Sequence, residues 1–260
     1  MTVALAAAIL ALGSTGAAAS GAADWSYDGD TGPAHWADLG YPDCAGDSQS
    51  PINIRTRRVV RKPMKNPRIR YVASEAEVVN NGHSIEAEAP AGSTMTTGGV
   101  VYELKQIHFH TRSEHTIDGD HYPIEVHFVH QANSGQTAVV AVLAELGKKA
   151  NRAWEPYVTA AEELSEADPP ETVEADIDWA AMLPRSSAGF RYEGSLTTPP
   201  CTEGVHWNVL ATPVRLSEQQ IEAFESVPLS QAPSGANYRP VQPRNGRVVT
   251  LDVSRGFGRR

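Results

Sequence analysis

The chain has 260 residues, of which 41% are hydrophobic and 20% charged, as is typical of a folded globular protein. It carries 22 Lys and Arg against 31 Asp and Glu, so its formal net charge is −9. That excess of acid argues against a nucleic acid partner and against an anionic membrane surface as partner.

The first twenty-odd residues differ from the rest of the chain. Residues 3–12 are a run of small and aliphatic side chains, and more small residues follow up to Ala23. This pattern is typical of a secretory signal peptide and is too short to span a bilayer. We therefore predict a signal peptide at 1–23, a mature domain at 24–260 and a periplasmic or secreted protein. No Lys or Arg precedes Arg55, so a start upstream or a retained segment stays an alternative.

Pro and Gly are scattered through the chain, which favours many short strands joined by turns. In chain order, strands are predicted at 68–73, 77–80, 84–87, 100–110, 123–131, 138–146, 190–193, 205–214 and 247–251. One helix is predicted at 151–164, where apolar residues recur at helical spacing. A second is predicted at 217–226, because Ser217 and Gln220 form a capping-box pattern. A single β-dominated domain with peripheral helices follows.

Three histidines on two of these strand segments are the main indication of chemistry. Alternate side chains of a strand share a face, so His108 and His110 lie on one side together with Gln106. On the second segment His127 shares a face with Glu125. If the strands pair, three imidazoles converge, which is the ligand set of a catalytic zinc site with one open position. The two polar neighbours are placed to fix the imidazole tautomers.

A single His-x-His pair is weak evidence, because most such pairs bind no metal. The remaining histidines considered are more typical of structural or surface positions: His35, His115, His121, His130 and His206.

The chain has two cysteines, Cys44 and Cys201. In an exported protein such a pair usually forms one disulfide, which here closes a loop of over 150 residues. Two buried thiols in a cytosolic protein are the alternative.

Beyond these features, eight short motifs occur in one order along the chain. They are residues 32–36 (GPAHW), 49–53 (QSPIN), 80–83 (NNGH), 106–110 (QIHFH), 113–116 (SEHT), 125–130 (EVHFVH), 194–200 (GSLTTPP) and 237–242 (NYRPVQ). With these motifs the chain resembles the α-class carbonic anhydrases, especially exported bacterial ones. The match runs from about Trp25 to Leu251, and although each motif alone is weak, together they are highly specific.

The resemblance implies a mainly β fold with a large, mostly antiparallel twisted central sheet and short peripheral helices. It implies a zinc lyase that hydrates carbon dioxide reversibly to bicarbonate and a proton. Zinc-bound hydroxide attacks the substrate, and a histidine then transfers the proton. The substrate is thus a small molecule; no nucleic acid and no membrane insertion of the mature domain are expected, and a homodimer is kept open.

The resemblance also implies a role for each matching residue. The zinc ligands are His108, His110 and His127, with Gln106 and Glu125 as their hydrogen-bond partners. The catalytic residues are His83 as proton shuttle, Thr197 as gatekeeper and Glu114 as its acceptor. The substrate-binding residues are Val129, Val139, Leu196, Thr198, Val205 and Trp207, while Tyr27 and Asn81 order solvent. Cys44 and Cys201 fall where exported members form a disulfide, and cis bonds are expected at Ser50–Pro51 and Pro199–Pro200.

Two positions depart from the family pattern. Arg112 stands where many bacterial members carry proline, and Glu86 where many carry a neutral polar residue. If Glu86 faces the cavity, its charge is expected to raise the pKa of His83.

Two other functions fit part of the pattern. A cupin-type protein would use Glu114 as a ligand for iron or manganese, but the spacing to His127 is short for that fold. A binding module that has lost its metal ligands is disfavoured because all three histidines are present.

Overall fold

The computed structural model describes residues 23–64, 67–165 and 171–253, and the predicted leader therefore lies almost wholly outside the described residues. Within these ranges the helices are α1 (Glu155–Glu163) and α2 (Glu218–Glu225). The strands are β1 (Asn53–Ile54), β2 (Val60–Lys62), β3 (Arg68–Arg70), β4 (Ser74–Asn80), β5 (Ile85–Glu88), β6 (Thr94–Thr97), β7 (Val100–Thr111), β8 (Thr116–Ile117), β9 (Ile124–Ala132), β10 (Thr137–Leu146), β11 (Thr172–Ile177), β12 (Gly189–Ser195), β13 (Glu203–Leu210), β14 (Val214–Leu216) and β15 (Thr250–Asp252).

One large sheet organises the molecule. Its main order is β11-β4-β5-β7-β9-β10-β13-β12-β15-β2, with β3, β6 and β14 attached beside it. Most neighbours are antiparallel, while β10 pairs with β13, and β15 with β2, in parallel. The prediction of a mainly β domain with a large, mostly antiparallel sheet is confirmed.

A β-bulge in β7 sets the register of the two central strands. Leu104 pairs with His130, but Gln106 pairs with Val129, so Lys105 is the extra residue on its strand. The bulge shifts the pairing by one position and brings His108 directly opposite His127. Without the bulge, the pairing would be shifted by one residue, and His108 and His127 would lie on opposite faces of the sheet.

The two faces of β7 have different neighbours. Phe109 points away from the face of the histidines and packs against Phe224 of α2, with ring centroids 4.8 Å apart. Phe224 in turn packs against Tyr157 of α1 at 5.5 Å. The helices therefore cover one face of the sheet with a large apolar core, and the histidines are left on the other face.

Several sequence predictions need correction. The strand predicted at 205–214 is two strands, β13 and β14, because Pro213 lies between them and cannot donate to a ladder. Strand β11 was not predicted, and its Glu174 and Asp176 are acidic and exposed. Its alternate residues Ala175 and Ile177 are nevertheless buried. Both predicted helices are present but shorter, and the Ser217 capping box is confirmed.

The predicted covalent and backbone features are also present. Cys44 and Cys201 form a disulfide. The peptide bonds Ser50–Pro51 and Pro199–Pro200 are cis, and a third cis bond, Thr111–Arg112, was not predicted. In the described part of the chain, no helix has the length and apolar character needed to cross a bilayer.

Candidate active site

The three histidines bring one nitrogen each to a common point. Nδ1 of His127 lies 3.2 Å from Nε2 of His110 and 3.3 Å from Nε2 of His108. His110 and His127 are each only 1% exposed, whereas His108 is partly open to solvent. The site is thus a buried cluster with access from one side.

Each imidazole is fixed by its other nitrogen. Gln106 Oε1 lies 2.8 Å from Nδ1 of His108, and the backbone oxygen of Asn237 lies 2.6 Å from Nδ1 of His110. Glu125 Oε1 lies 2.8 Å from Nε2 of His127. An oxygen acceptor on each outer nitrogen requires the proton there, so the inner nitrogens present lone pairs.

The donor set fits a metal cation. Three lone pairs that face one another at this separation have no proton between them, and a cation is what satisfies them. Burial and the neighbouring imidazoles hold the pKa of His108 well below its ordinary value, and that of His127 is lowered in the same way. The imidazoles of the cluster are therefore neutral. Neutral nitrogen donors in a set of three are typical of a catalytic zinc site.

A buried hydrogen-bonded chain supports the third histidine from behind. Glu125 accepts from His127 and, at 2.7 Å, from Nδ1 of His115. His115 Nε2 lies 2.6 Å from the Tyr192 hydroxyl, which bonds to Ser50. Burial raises the pKa of Glu125, but the two histidines outweigh it and hold the pKa well below its usual value. Glu125 is therefore ionised.

Glu114 lies beside the triad and is completely buried. Its Oε1 accepts from the backbone N–H of Arg239 at 2.8 Å. Its Oε2 is 3.5 Å from Nε2 of His110 and has no hydrogen-bond partner among the described residues. Burial raises the pKa of Glu114 to about 7, although an interaction with the Thr197 hydroxyl lowers it. Thr197 and Glu114 thus interact beside the three histidines.

An apolar wall adjoins the triad on the same face. In register across the strands, Val129 pairs with Val139, and Val139 pairs with Trp207. The Trp207 ring lies 4.9 Å from that of His127. All five predicted wall residues belong to one apolar cluster: Val129, Val139, Leu196, Val205 and Trp207. Thr198, also expected to bind substrate, is half-buried next to Thr197.

His83 stands apart from the triad in an aromatic cluster. Its ring stacks on Trp25 at 3.8 Å, and Tyr27 lies 6.4 Å away. Asn81 Oδ1 accepts from the His83 backbone N–H at 3.0 Å. Burial lowers the pKa of His83, while Asp24 is the carboxylate that raises it.

Glu86 faces the same side of the sheet as the triad. Its Oε2 accepts from Nε2 of Gln106 at 3.2 Å and from Nδ2 of Asn81 at 3.4 Å. Burial, with a contribution from Glu88, raises the pKa of Glu86 to about 7. The expected rise in the pKa of His83 from the charge of Glu86 is not observed, because the pKa of His83 is lowered by burial.

The sequence analysis missed three residues of this site. Asn237 fixes His110 through its backbone oxygen, and no side-chain pattern reveals such a contact. His115 was assigned a structural or surface position and is indeed buried, but its contact with Glu125 behind the triad was not predicted. Arg239 binds Glu114 through its backbone. Asn237 and Arg239 lie in a motif that was recognised, so the signal marked the segment but not the contacts. Three imidazoles around one point, on adjacent strands of a large twisted sheet, define a three-histidine site that could hold a metal ion.

Comparisons with known proteins give the family. The chain matches the family described as eukaryotic-type carbonic anhydrase over residues 31–253. A carbonic anhydrase of Pectobacterium carotovorum is 37% identical over 239 residues, which cover 90% of this chain and 93% of that protein. One from Klebsiella pneumoniae is 39% identical over 237 residues, covering 88% and 91%.

A solved structure agrees with them. The α-carbonic anhydrase from Thermovibrio ammonificans, in complex with the inhibitor sulfanilamide, has a TM-score of 0.80 and 39% identity, covering 88% of this chain and 99% of that one. The protein described here belongs to the α-class, or eukaryotic-type, carbonic anhydrase family, whose enzymes hydrate carbon dioxide with zinc. The cupin alternative is wrong.

Proposed function

We propose that the protein catalyses the reversible hydration of carbon dioxide to bicarbonate and a proton, with zinc held by His108, His110 and His127. The observation that carries this proposal is the convergence of three lone-pair nitrogens, each fixed by an oxygen acceptor behind it. Zinc bound there would lower the pKa of a water to about 7, a value established for carbonic anhydrases as a class, and would so supply a nucleophile at neutral pH.

Thr197 and Glu114 orient the nucleophile. A cation held by the triad favours the ionised form of the adjacent Glu114 carboxyl. Ionised Glu114 can only accept a hydrogen bond, so the Thr197 hydroxyl donates to it. The Thr197 oxygen is then left as an acceptor for the proton of the attacking water. One lone pair of that water is thereby directed at the substrate.

The apolar wall holds the carbon dioxide. The molecule has no net dipole and makes only weak hydrogen bonds, so it gains little from polar partners and is favoured by apolar surface next to the metal. Val129, Val139 and Trp207 supply that surface in one row across three strands. Val205 and Leu196 extend it from the neighbouring chain segments.

His83 carries the product proton to solvent. An imidazole changes its charge near neutral pH, so it can accept and release a proton in each cycle. His83 is half-buried, stacks on Trp25, and makes no contact with the triad among the interactions of the described residues. Ordered water along Asn81, Tyr27 and Thr198 is therefore proposed to connect it with the site.

Carbon dioxide hydration measured by stopped flow tests this function. Purified protein should be active, lose activity when a chelator removes the metal, and regain it with zinc. His110→Ala should lose metal and activity together, while His206→Ala, at a half-buried position of β13 outside the triad, should retain both. Protein that holds zinc stoichiometrically but does not hydrate carbon dioxide would refute the proposed reaction and leave only a binding module.

We further propose that the protein is exported. The leader-like segment at 1–23 and the Cys44–Cys201 disulfide support an oxidising compartment. Cleavage after the leader, periplasmic or secreted location and a homodimer stay predictions. N-terminal sequencing of protein recovered from a secreting host tests the first of these.

A further inference from the structure

Glu86 occupies a position on β5 that faces the triad. It lies directly opposite His108 in the antiparallel ladder of β5 and β7, so the two side chains share one face of the sheet. Glu86 is half-buried, and it is one of the two positions at which the chain departs from the family pattern. The mechanism proposed for the triad, Thr197 and His83 does not use it.

One oxygen of Glu86 accepts hydrogen bonds from two side-chain amides. Its Oε2 lies 3.2 Å from Nε2 of Gln106 and 3.4 Å from Nδ2 of Asn81. A carboxylate has no proton to donate, and a carboxyl group that is protonated on Oε1 still accepts through Oε2. In either state this oxygen therefore favours the NH₂ end of each amide.

The contact with Glu86 fixes the orientation of the Gln106 amide. A glutamine amide has a donor NH₂ on one side and an acceptor oxygen on the other, and half a turn about its last bond would exchange them. Because Glu86 holds the NH₂, the oxygen is left for His108. Nδ1 of His108 donates its proton to that oxygen at 2.8 Å.

A reversed Gln106 amide would change the metal site. Its NH₂ would then face Nδ1 of His108, and that nitrogen could only accept a hydrogen bond. The proton of the imidazole would move to Nε2, which is the nitrogen that His108 turns towards His127. A protonated Nε2 has no lone pair for a cation, so the triad would lose one of its three donors.

The second amide, that of Asn81, is already held by its own turn. Its Oδ1 accepts from the backbone N–H groups of His83 and Ser84 at 3.0 and 2.9 Å, so its NH₂ points outwards to Glu86. These two backbone contacts fix the Asn81 amide without help from the carboxyl group. The orienting effect of Glu86 therefore falls on Gln106.

We propose that Glu86 is a positioning residue for the metal site, because it holds the Gln106 amide in the orientation that keeps the proton of His108 on Nδ1. This role rests on the proposed function, which assigns a metal to the triad. Glu86 acts through Gln106 and not on the metal directly. Its removal should therefore matter only while Gln106 is present.

Zinc affinity, measured by competition with a chromophoric chelator, tests this role. Glu86→Met keeps the length of the side chain but has no oxygen, and it should weaken zinc binding about tenfold, the lower end of the range for outer hydrogen-bond partners. Glu86→Gln loses the same charge but keeps an acceptor oxygen, so its affinity should lie between those of Glu86→Met and wild type. Gln106→Leu should weaken binding by about 10- to 100-fold, and adding Glu86→Met to it should cause no further loss. The control Glu88→Gln, at an exposed position of the same strand, should change the affinity little.

The position of the proton on His108 gives a second readout. Long-range ¹H–¹⁵N spectra of the zinc-free protein should show Nδ1–H for His108 in wild type and a mixture with Nε2–H in Glu86→Met, at an unchanged melting temperature. Both measurements need no turnover, so they decide the role of Glu86 even if the zinc-loaded protein fails to hydrate carbon dioxide. Unchanged affinity and tautomer in Glu86→Met would overturn the role, and so would an equal loss when Gln106 is absent. Equal losses in Glu86→Met and Glu86→Gln would also overturn it, because they would show an effect of charge alone.

Discussion

Glu125 accepts a hydrogen bond from Nε2 of His127 at 2.8 Å, and this contact decides which nitrogen of His127 faces the other two histidines of the triad. With its proton on Nε2, His127 presents the lone pair of Nδ1 to the other two imidazoles. The other histidines do the reverse, since their Nδ1 atoms are engaged behind them. One carboxylate on β9 thus gives the triad its mixed set of nitrogens.

Glu125→Gln should weaken metal binding by about 10- to 100-fold, the range typical of outer hydrogen-bond partners. The amide is neutral and has one acceptor oxygen, so it accepts hydrogen bonds from His127 and His115 less strongly than the carboxylate does. The tautomer of His127 is then no longer fixed. Competition with a chromophoric chelator measures the affinity. The control Glu77→Gln, an exposed position on β4, should not change it. Unaltered affinity in Glu125→Gln would contradict the orienting role.

His83→Ala should lower kcat in weak buffer and leave kcat/KM for carbon dioxide nearly intact. His83 lies on the turn before β5 and can only remove the proton after the chemical step. Small imidazole buffers should restore much of the lost rate, since they offer the same acid–base group from solution. Thr197→Ala should instead lower kcat/KM and resist rescue, because it removes the orienting hydroxyl. Identical behaviour of the two variants would refute the division of roles.

Cys44→Ser/Cys201→Ser should reduce the free energy of unfolding by about 5 kcal/mol in the chain-entropy model, because the bond spans 157 residues. For a domain of this size that corresponds to a fall in Tm of about 10–20 °C. Calorimetry with and without reductant measures it. Reductant should lower the Tm of the wild type and leave that of the double variant unchanged; an equal response of both would contradict the assignment.

Glu86→Gln should make the protein more stable relative to wild type as the pH rises. The folded-state pKa of Glu86 is raised to about 7, whereas the unfolded value is about 4.3. The folded state therefore holds the proton more tightly, and the wild type loses up to about 4 kcal/mol between these pH values. The amide cannot ionise and escapes that loss.

Urea unfolding of metal-free protein at about pH 4 and about pH 8, on either side of the two pKa values, measures this difference. The metal is removed so that its charge does not shift the pKa of the Glu86 carboxyl. Glu174→Gln, an exposed carboxylate on β11, is the control and should show no such trend. The pKa of Glu114 is also raised, so Glu114 contributes to the pH dependence of both proteins. The informative quantity is therefore the difference in the free energy of unfolding between variant and wild type. A constant difference across the range would contradict the raised pKa.

The sequence by itself determined the β-dominated fold, the family and the identity of the clustered residues. Residues two positions apart in a strand lie on the same face. This local rule placed Gln106 beside His108, and Glu125 beside His127, without any tertiary information. The capping box of α2 was equally legible, because its two partners lie three residues apart. Short-range geometry of this kind is encoded where it occurs.

Only the tertiary structure decided how these pieces meet. The bulge at Lys105 sets the register that places His108 opposite His127, and nothing in the local pattern marks it. The oxygen that fixes His110 comes from Asn237, a backbone group 127 residues away. Contacts between distant segments depend on the packing of the whole domain, and residue type alone does not specify them.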